Sequence, residues 1–161
     1  MSRNTEIERK FLVKSTDFIF QATEHHEILQ GYLCKESGKT IRVRIRDTRA
    51  FLTIKSSKLR PGIGKFEWEK EIELEDAKEL MQLCLPNPII KTRYIIPAKR
   101  VCGLTDEETS ERKWEVDVFH GHKEGLILAE LELENENEPY ACPEWLGEEV
   151  TGQPQYYNAN M

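Results

Sequence analysis

The chain has 161 residues, 32% of them charged, and a formal net charge of −6 from 23 Lys and Arg against 29 Asp and Glu. This length points to one domain, residues 1–161, with enough chain to bury a substantial core, and the acidity argues against a general nucleic-acid binder while leaving room for an anionic ligand held by a local cluster of Arg and Lys. Cys34, Cys84, Cys102 and Cys142 are scattered without a C-x-x-C pair, and no apolar leader or membrane-length stretch stands out, so zinc, disulfides and a membrane are set aside in favour of a reducing, cytoplasmic setting.

Glu6-Ile7-Glu8-Arg9-Lys10 opens a strand that runs apolar through Phe11-Leu12-Val13. Alternation places Glu6, Glu8 and Lys10 on one face, with Ile7 and Arg9 on the outer one. Three ionisable groups on one face need water, a charged partner, a metal or a ligand. Residues 14–26 read as a polar loop with a short turn or helix at Asp17-Phe18-Ile19-Phe20. His25 and His26 are adjacent, so in a strand they face opposite ways and do not share an ion. A second strand covers Ile28 to Leu33, and Glu36-Ser37-Gly38-Lys39 makes a turn. From Thr40 to Arg46 the alternation is unbroken: Ile41, Val43 and Ile45 on one face, Arg42, Arg44 and Arg46 on the other. Like charges in register repel unless anions or water relieve them. Phe51 to Lys55 completes a hairpin, with Thr53 and Lys55 on a common face.

Residues 56–64 form a loop rich in turn formers. The next strand sets Glu67, Glu69, Glu71 and Glu73 against Trp68, Lys70, Ile72 and Leu74. Glu75-Asp76 start a helix over 75–85, whose stripe Ala77, Leu80, Met81 and Cys84 is ordinary core; Pro86 and Pro88 stop it. Ile89 to Ile96 puts Lys91 and Arg93 opposite Thr92, Tyr94 and Ile96. Residues 97–113 make a charged connection longer than a hairpin needs. Two further strands follow. Trp114 to Phe119 sets Glu115 and Asp117 against Trp114, Val116 and Val118, and Leu126 to Glu134 sets Glu130, Glu132 and Glu134 against Leu131 and Leu133. His120-Gly121-His122 is a turn, Pro143 to Gly147 opens a short helix, and a polar tail follows Tyr156-Tyr157.

One apolar and one ionised face per strand is ordinary for a sheet with one wet side. Here, however, whole strands carry a single sign, and about eight strands with few helices invite closure. The expected fold is α+β, mainly β: an eight-stranded antiparallel closed tunnel with a charged lumen and its few helices packed outside. Such a lumen suits a polyanion with a divalent metal. Carboxylates favour Mg²⁺ or Mn²⁺, while Arg and Lys favour phosphate oxygens. Phosphoryl transfer needs mainly positioning and charge neutralisation, which this inventory supplies. No Gly-rich phosphate loop, Ser-His-Asp or Cys-His arrangement is legible.

Glu6-x-Glu8-x-Lys10 resembles the N-terminal signature of the CYTH superfamily, the triphosphate tunnel metalloenzymes. The resemblance covers almost the whole chain and continues in order. Its further elements are Gln30-Gly31-Tyr32-Leu33, Arg42-x-Arg44, Leu52-Thr53-x-Lys55, Lys91-Thr92-Arg93-Tyr94, Glu115-Val116-Asp117-Val118-Phe119, Glu130-x-Glu132 and Gly147-Glu148-Glu149-Val150-Thr151. It implies an eight-stranded tunnel, dependence on Mg²⁺ or Mn²⁺, and action on triphosphates. Lys10, Arg42, Arg44, Lys55, Lys91 and Arg93 are then the phosphate contacts. Glu6, Glu8, Glu130 and Glu132 hold metal, with Glu69, Glu115 and Asp117 as further ligands or water-orienting groups. Glu6, Glu8, Lys10, Lys91 and Asp117 form the catalytic set, and a second metal activates the attacking water.

Within that resemblance the short chain and the Glu-Ile-Glu-Arg-Lys-Phe-Leu-Val opening look most like the bacterial group that hydrolyses inorganic tripolyphosphate. Alternatives are a class IV-type adenylate cyclase, a thiamine or nucleoside triphosphatase, a non-catalytic polyphosphate-binding module, and a structural barrel with ion-paired walls. The expected partner is a small-molecule triphosphate, not nucleic acid or membrane, with a homodimer left open. Four departures stand out: the extra Arg46, Lys65 where Arg is frequent, Gln155 where a basic residue is frequent, and the long 97–113 connection.

Overall fold

The computed structural model describes residues 7–56, 66–104 and 111–161. Glu6, Lys65, the 57–64 part of the expected loop and residues 105–110 of the long connection lie outside them. The strands are β1 (Ile7–Val13), β2 (Glu24–Glu36), β3 (Lys39–Arg46), β4 (Arg49–Ser56), β5 (Phe66–Ile72), β6 (Ile89–Pro97), β7 (Lys113–His120), β8 (Ile127–Leu133) and β9 (Leu146–Glu149), with one helix, α1 (Leu74–Gln82). They form a mostly antiparallel sheet in the order β5-β4-β3-β2-β6-β7-β8-β1-β9. The mainly β class is as expected, but nine strands replace eight, and among the described residues the order has two ends, β5 and β9. No helix among these residues is long and apolar enough to cross a membrane.

Three local expectations are corrected. The polar stretch before Ile28 is strand, because β2 begins at Glu24. Leu74 ends no strand: Glu73 is extended at the helix N-cap, and Leu74 begins α1, whose acidic Glu75 and Asp76 suit the positive end of its dipole. The short helix expected at Pro143–Gly147 is instead the lead into β9, which pairs with β1. A Cβ on Gly147 would lie 2.8 Å from the carbonyl oxygen of Leu12, so only glycine admits this approach.

The chain comprises two compact units. The first takes its described residues from Met1–His25, Arg93–Val118 and Gly125–Pro154. Its core joins Phe11, Ile96, Trp114, Val116, Ala129, Leu131 and Leu133, which alternate onto one face of its strands, with Phe18 from the short 3-10 helix Asp17–Gln21 and Trp145 from the turn before β9. The aromatic rings meet edge to face, Phe11–Trp114 at 5.6 Å and Trp114–Trp145 at 5.7 Å, the geometry that ring quadrupoles favour. Glu8, Lys10, Glu115, Asp117, Glu130 and Glu132 are thereby left on the other face.

The second unit comes from His26–Thr92, Phe119–Glu124 and Gln155–Met161. Its hairpins follow the alternation, with Arg44 opposite Gln30 and Phe51, and Thr53 opposite Arg42 and Glu69. The α1 stripe covers the apolar side: Ala77, Leu80 and Met81, with Cys84 just past the helix, which ends at Gln82 rather than at the expected residue 85, pack around Val43. A Cβ on Gly31 would stand 2.8 Å from both Cβ and Sγ of Cys84 and 2.9 Å from Sδ of Met81. Gly31→Ala therefore overpacks the helix contact and costs about 1–3 kcal/mol, read as a lower urea midpoint. An unchanged midpoint overturns this close packing.

Candidate active site

In the first unit, β1 and β8 bring the acidic and basic residues together by register. Glu8 lies opposite Glu132, and Lys10 opposite Glu130. Lys10 is buried, with Nζ 3.1 Å from Glu130 Oε1 and 3.8 Å from Glu8 Oε1. Burial, followed by repulsion from Glu130 and a smaller contribution from Glu132, pushes the Glu8 carboxyl up to about 7 despite the opposing charge of Lys10. Its side chain is still 44% exposed, so water screens part of that repulsion. Arg9 faces outward as expected, donating to Glu149 Oε2 at 3.1 Å and to the carbonyl of Glu136 at 2.9 Å.

A raised carboxyl pKa means that the folded protein binds a proton more tightly than the unfolded chain. The stability this adds is full below the ordinary carboxyl range and is lost as pH rises through about 7. In a chelator, the melting-temperature advantage of Glu8→Gln over wild type should therefore widen from about pH 5 to about pH 7.5, measured by scanning calorimetry. A constant difference across that range overturns the prediction.

β6 and β7 supply a second ionised group. Arg93 grips the buried Asp117 through Nε–Oδ1 at 2.7 Å and Nη2–Oδ2 at 2.9 Å, and its Nη1 lies 2.8 Å from Glu115 Oε2. Burial works against the guanidinium charge, but the attraction and hydrogen bonds of Asp117, with help from Glu115, outweigh it and raise the Arg93 pKa. Glu115, Glu130 and Glu132, with Glu111, Arg112 and Lys113, line a cavity of about 120 Å³. Among the described residues, no three His, Cys, Asp or Glu side chains converge on one metal position. The crowding of Glu8, Glu130 and Glu132 nevertheless fits a hard divalent cation. The donors are all carboxylate oxygens, and their mutual repulsion is the force such an ion relieves.

The second unit carries the cationic face. Arg42 donates from Nη2 to Thr53 Oγ1 at 3.3 Å, and that hydroxyl donates to Glu69 Oε2 at 2.9 Å. Glu69 Oε2 is itself 4.0 Å from Arg42 Nη2, and Arg42 Nε is buried without an acceptor. Arg44 donates from Nε to Gln30 Oε1 at 3.0 Å. Lys91 is fully buried; its Nζ donates to Asn158 Oδ1 at 3.3 Å and sits 5.5 Å from the centre of the Phe119 ring. Lys55 is at the exposed edge, 3.9 Å from Glu67. Arg46 stacks over Phe51 at 5.4 Å, while Arg49 pairs bidentately with Glu71.

Several side chains that contact these charged groups were not singled out in the sequence. Gln30 and Thr53 were legible as polar residues alternating in register with arginines, but Asn158, in the tail, had no local signal. Behind Lys91, on the opposite face of β6, Thr92 Oγ1 lies 3.0 Å from Glu27 Oε2 and 2.9 Å from His120 Nε2. His26 Nδ1 lies 2.6 Å from Asp47 Oδ2, while the ring of His25 tilts over Tyr94.

An antiparallel sheet with one ionised face, reached through these ordered motifs, defines the class: the chain belongs to the CYTH domain family, whose model matches residues 4–160. An inorganic triphosphatase of Acetivibrio thermocellus is 38% identical over 157 residues, covering 97% of this chain and 92% of that protein. An inorganic triphosphatase of Nitrosomonas europaea is 33% identical over 159 residues, covering 96% of this chain and 94% of that one. A crystal structure of an inorganic triphosphatase superposes with a TM-score of 0.67 at 30% identity, covering 97% and 93% of the two chains.

Proposed function

We propose that the chain, acting as one domain, hydrolyses inorganic tripolyphosphate in a metal-dependent reaction. Water oxygen attacks the terminal phosphorus, the bridging P–O bond breaks, and phosphate and pyrophosphate leave. The observation that carries this reading is the cationic face of half-buried Arg42 and Arg44 and fully buried Lys91, where the buried Nε of Arg42 has no acceptor of its own. Buried donors lacking an acceptor are rare in folded proteins, and phosphoryl oxygens satisfy them. The relatives named inorganic triphosphatase support the same substrate.

In this reading Arg42, Arg44, Lys55, Lys91 and Lys10 bind phosphoryl oxygens. Asp117 and Glu115 hold the plane of the Arg93 guanidinium, so that it presents a fixed edge to the substrate. Glu6, Glu8, Glu130 and Glu132 would hold Mg²⁺ or Mn²⁺, with Glu69, Glu115 and Asp117 as further oxygen donors. Such an ion supplies charge neutralisation and a more acidic water. Thr53 orients Glu69 through the hydroxyl that Arg42 also contacts.

The test is phosphate release from tripolyphosphate, ATP, thiamine triphosphate and pyrophosphate, with Mg²⁺, Mn²⁺ or chelator. Tripolyphosphate should be the fastest substrate, and chelator should abolish turnover. Cyclisation of ATP without release of phosphate from tripolyphosphate overturns the reading, as does tight tripolyphosphate binding without turnover.

A further inference from the structure

Gln30 has no part in the chemistry described so far, yet it is the most completely enclosed neutral polar side chain on the cationic face. It is 0% exposed and lies directly across from Arg44 in the β2–β3 register, so the two share that face. Arg44 Nε donates to Gln30 Oε1 at 3.0 Å. An N–H donor must meet the oxygen of the amide, so this contact also fixes which way the amide is turned. The NH₂ group then points away from Arg44, and it is buried with no hydrogen-bond partner. On the adjacent strand the buried Nε of Arg42 lacks an acceptor too. Two buried, unsatisfied donors on one cationic face call for an acceptor-rich, donor-poor ligand.

We propose that Gln30 is a substrate-binding residue: its carbonyl oxygen positions Arg44, and its NH₂ group donates to a phosphoryl oxygen of the bound triphosphate. This rests on the triphosphatase reading and deepens it. An amide suits the place because it does two jobs that an ion cannot combine. A lysine would repel Arg44, and a carboxylate would repel the phosphate, whereas the amide accepts from one and donates to the other. It also adds a contact without adding charge to a strand pair already carrying Arg42, Arg44 and Arg46.

Two variants of the full chain separate the roles. Gln30→Glu keeps the acceptor for Arg44 but removes the donor; Gln30→Met keeps the size and removes both. For each, KM and kcat with tripolyphosphate are measured alongside the melting temperature without ligand. Both variants should raise KM by about 10-fold or more, the scale of one hydrogen bond to a charged group, and Gln30→Glu should melt no lower than wild type. In ¹⁵N-labelled wild type, the Gln30 side-chain NH₂ resonances, assigned by their loss in Gln30→Glu, should shift downfield as tripolyphosphate saturates chelator-treated protein. A wild-type KM in Gln30→Glu, or NH₂ resonances that stay in place at saturation, overturns this role for Gln30 alone. If tripolyphosphate produces no thermal shift in wild type, the triphosphatase reading itself fails.

Discussion

Glu8→Gln lowers metal-dependent hydrolysis of tripolyphosphate by about 100-fold or more, without loss of the fold. The substitution is nearly isosteric and removes one negative charge from a group that is crowded as it stands. Glu8 faces Glu132 in register and feels both Glu130 and Glu132, which together with burial push it up to about 7. Neutralising it therefore relieves repulsion in the metal-free protein, so its melting temperature holds or rises while activity collapses. Glu130→Gln should be equally inactive but less stable, because buried Lys10 loses the carboxylate 3.1 Å from its Nζ. Phosphate-release assays paired with calorimetry separate the two. Near-normal turnover in Glu8→Gln sinks its role as a metal ligand, and equal melting temperatures for the two variants sink the structural role of the Lys10–Glu130 pair.

Arg93→Leu should destabilise the protein by about 3–5 kcal/mol, the cost of leaving a buried carboxylate without its partner. Asp117 is 2% exposed and receives both arms of the guanidinium fork, so it cannot turn to water when the fork is gone. Arg93→Lys should recover only part of that loss, since an ammonium meets one oxygen where the fork meets two. Adding Asp117→Asn to Arg93→Leu removes the stranded charge and should restore stability, a coupling that urea denaturation of the four-member cycle measures directly. Additive losses overturn the pairing. The exposed Arg49–Glu71 pair makes the contrast: its bidentate geometry is as good, but water competes for both partners and its removal should scarcely move the midpoint.

Much of the candidate site was legible because side-chain alternation is a local property. Ile41-Arg42-Val43-Arg44 announces which residues share a face before any partner strand is known, and the same holds for Glu8 and Lys10 and for Glu130 and Glu132. Boundaries were less legible where tertiary contacts override local preference. Residues 24–26 look like the end of a loop but belong to β2, and Asp47, at a φ of 54°, anchors the strand beside them by accepting from the amide of Glu27 at 2.8 Å. Pro143 to Gly147 looks like the start of a short helix, yet Trp145 and Leu146 are buried in the aromatic core and Gly147 lets Leu146–Glu149 close on β1 as a strand.

Periodicity and charge sorting were enough to assign the mainly β class, the separation of apolar from ionised faces, and the chemistry that the ionised face invites. Pairing could come only from the folded chain, because register joins residues far apart in sequence. Lys10 meets Glu130, and Lys91 is met by Asn158 of a tail with no motif. Burial is decided the same way. It makes Asp117 an anchor for Arg93 and lifts the opening strand's Glu8. It also leaves the Gln30 amide facing Arg44 with its oxygen while its two N–H groups remain for a ligand.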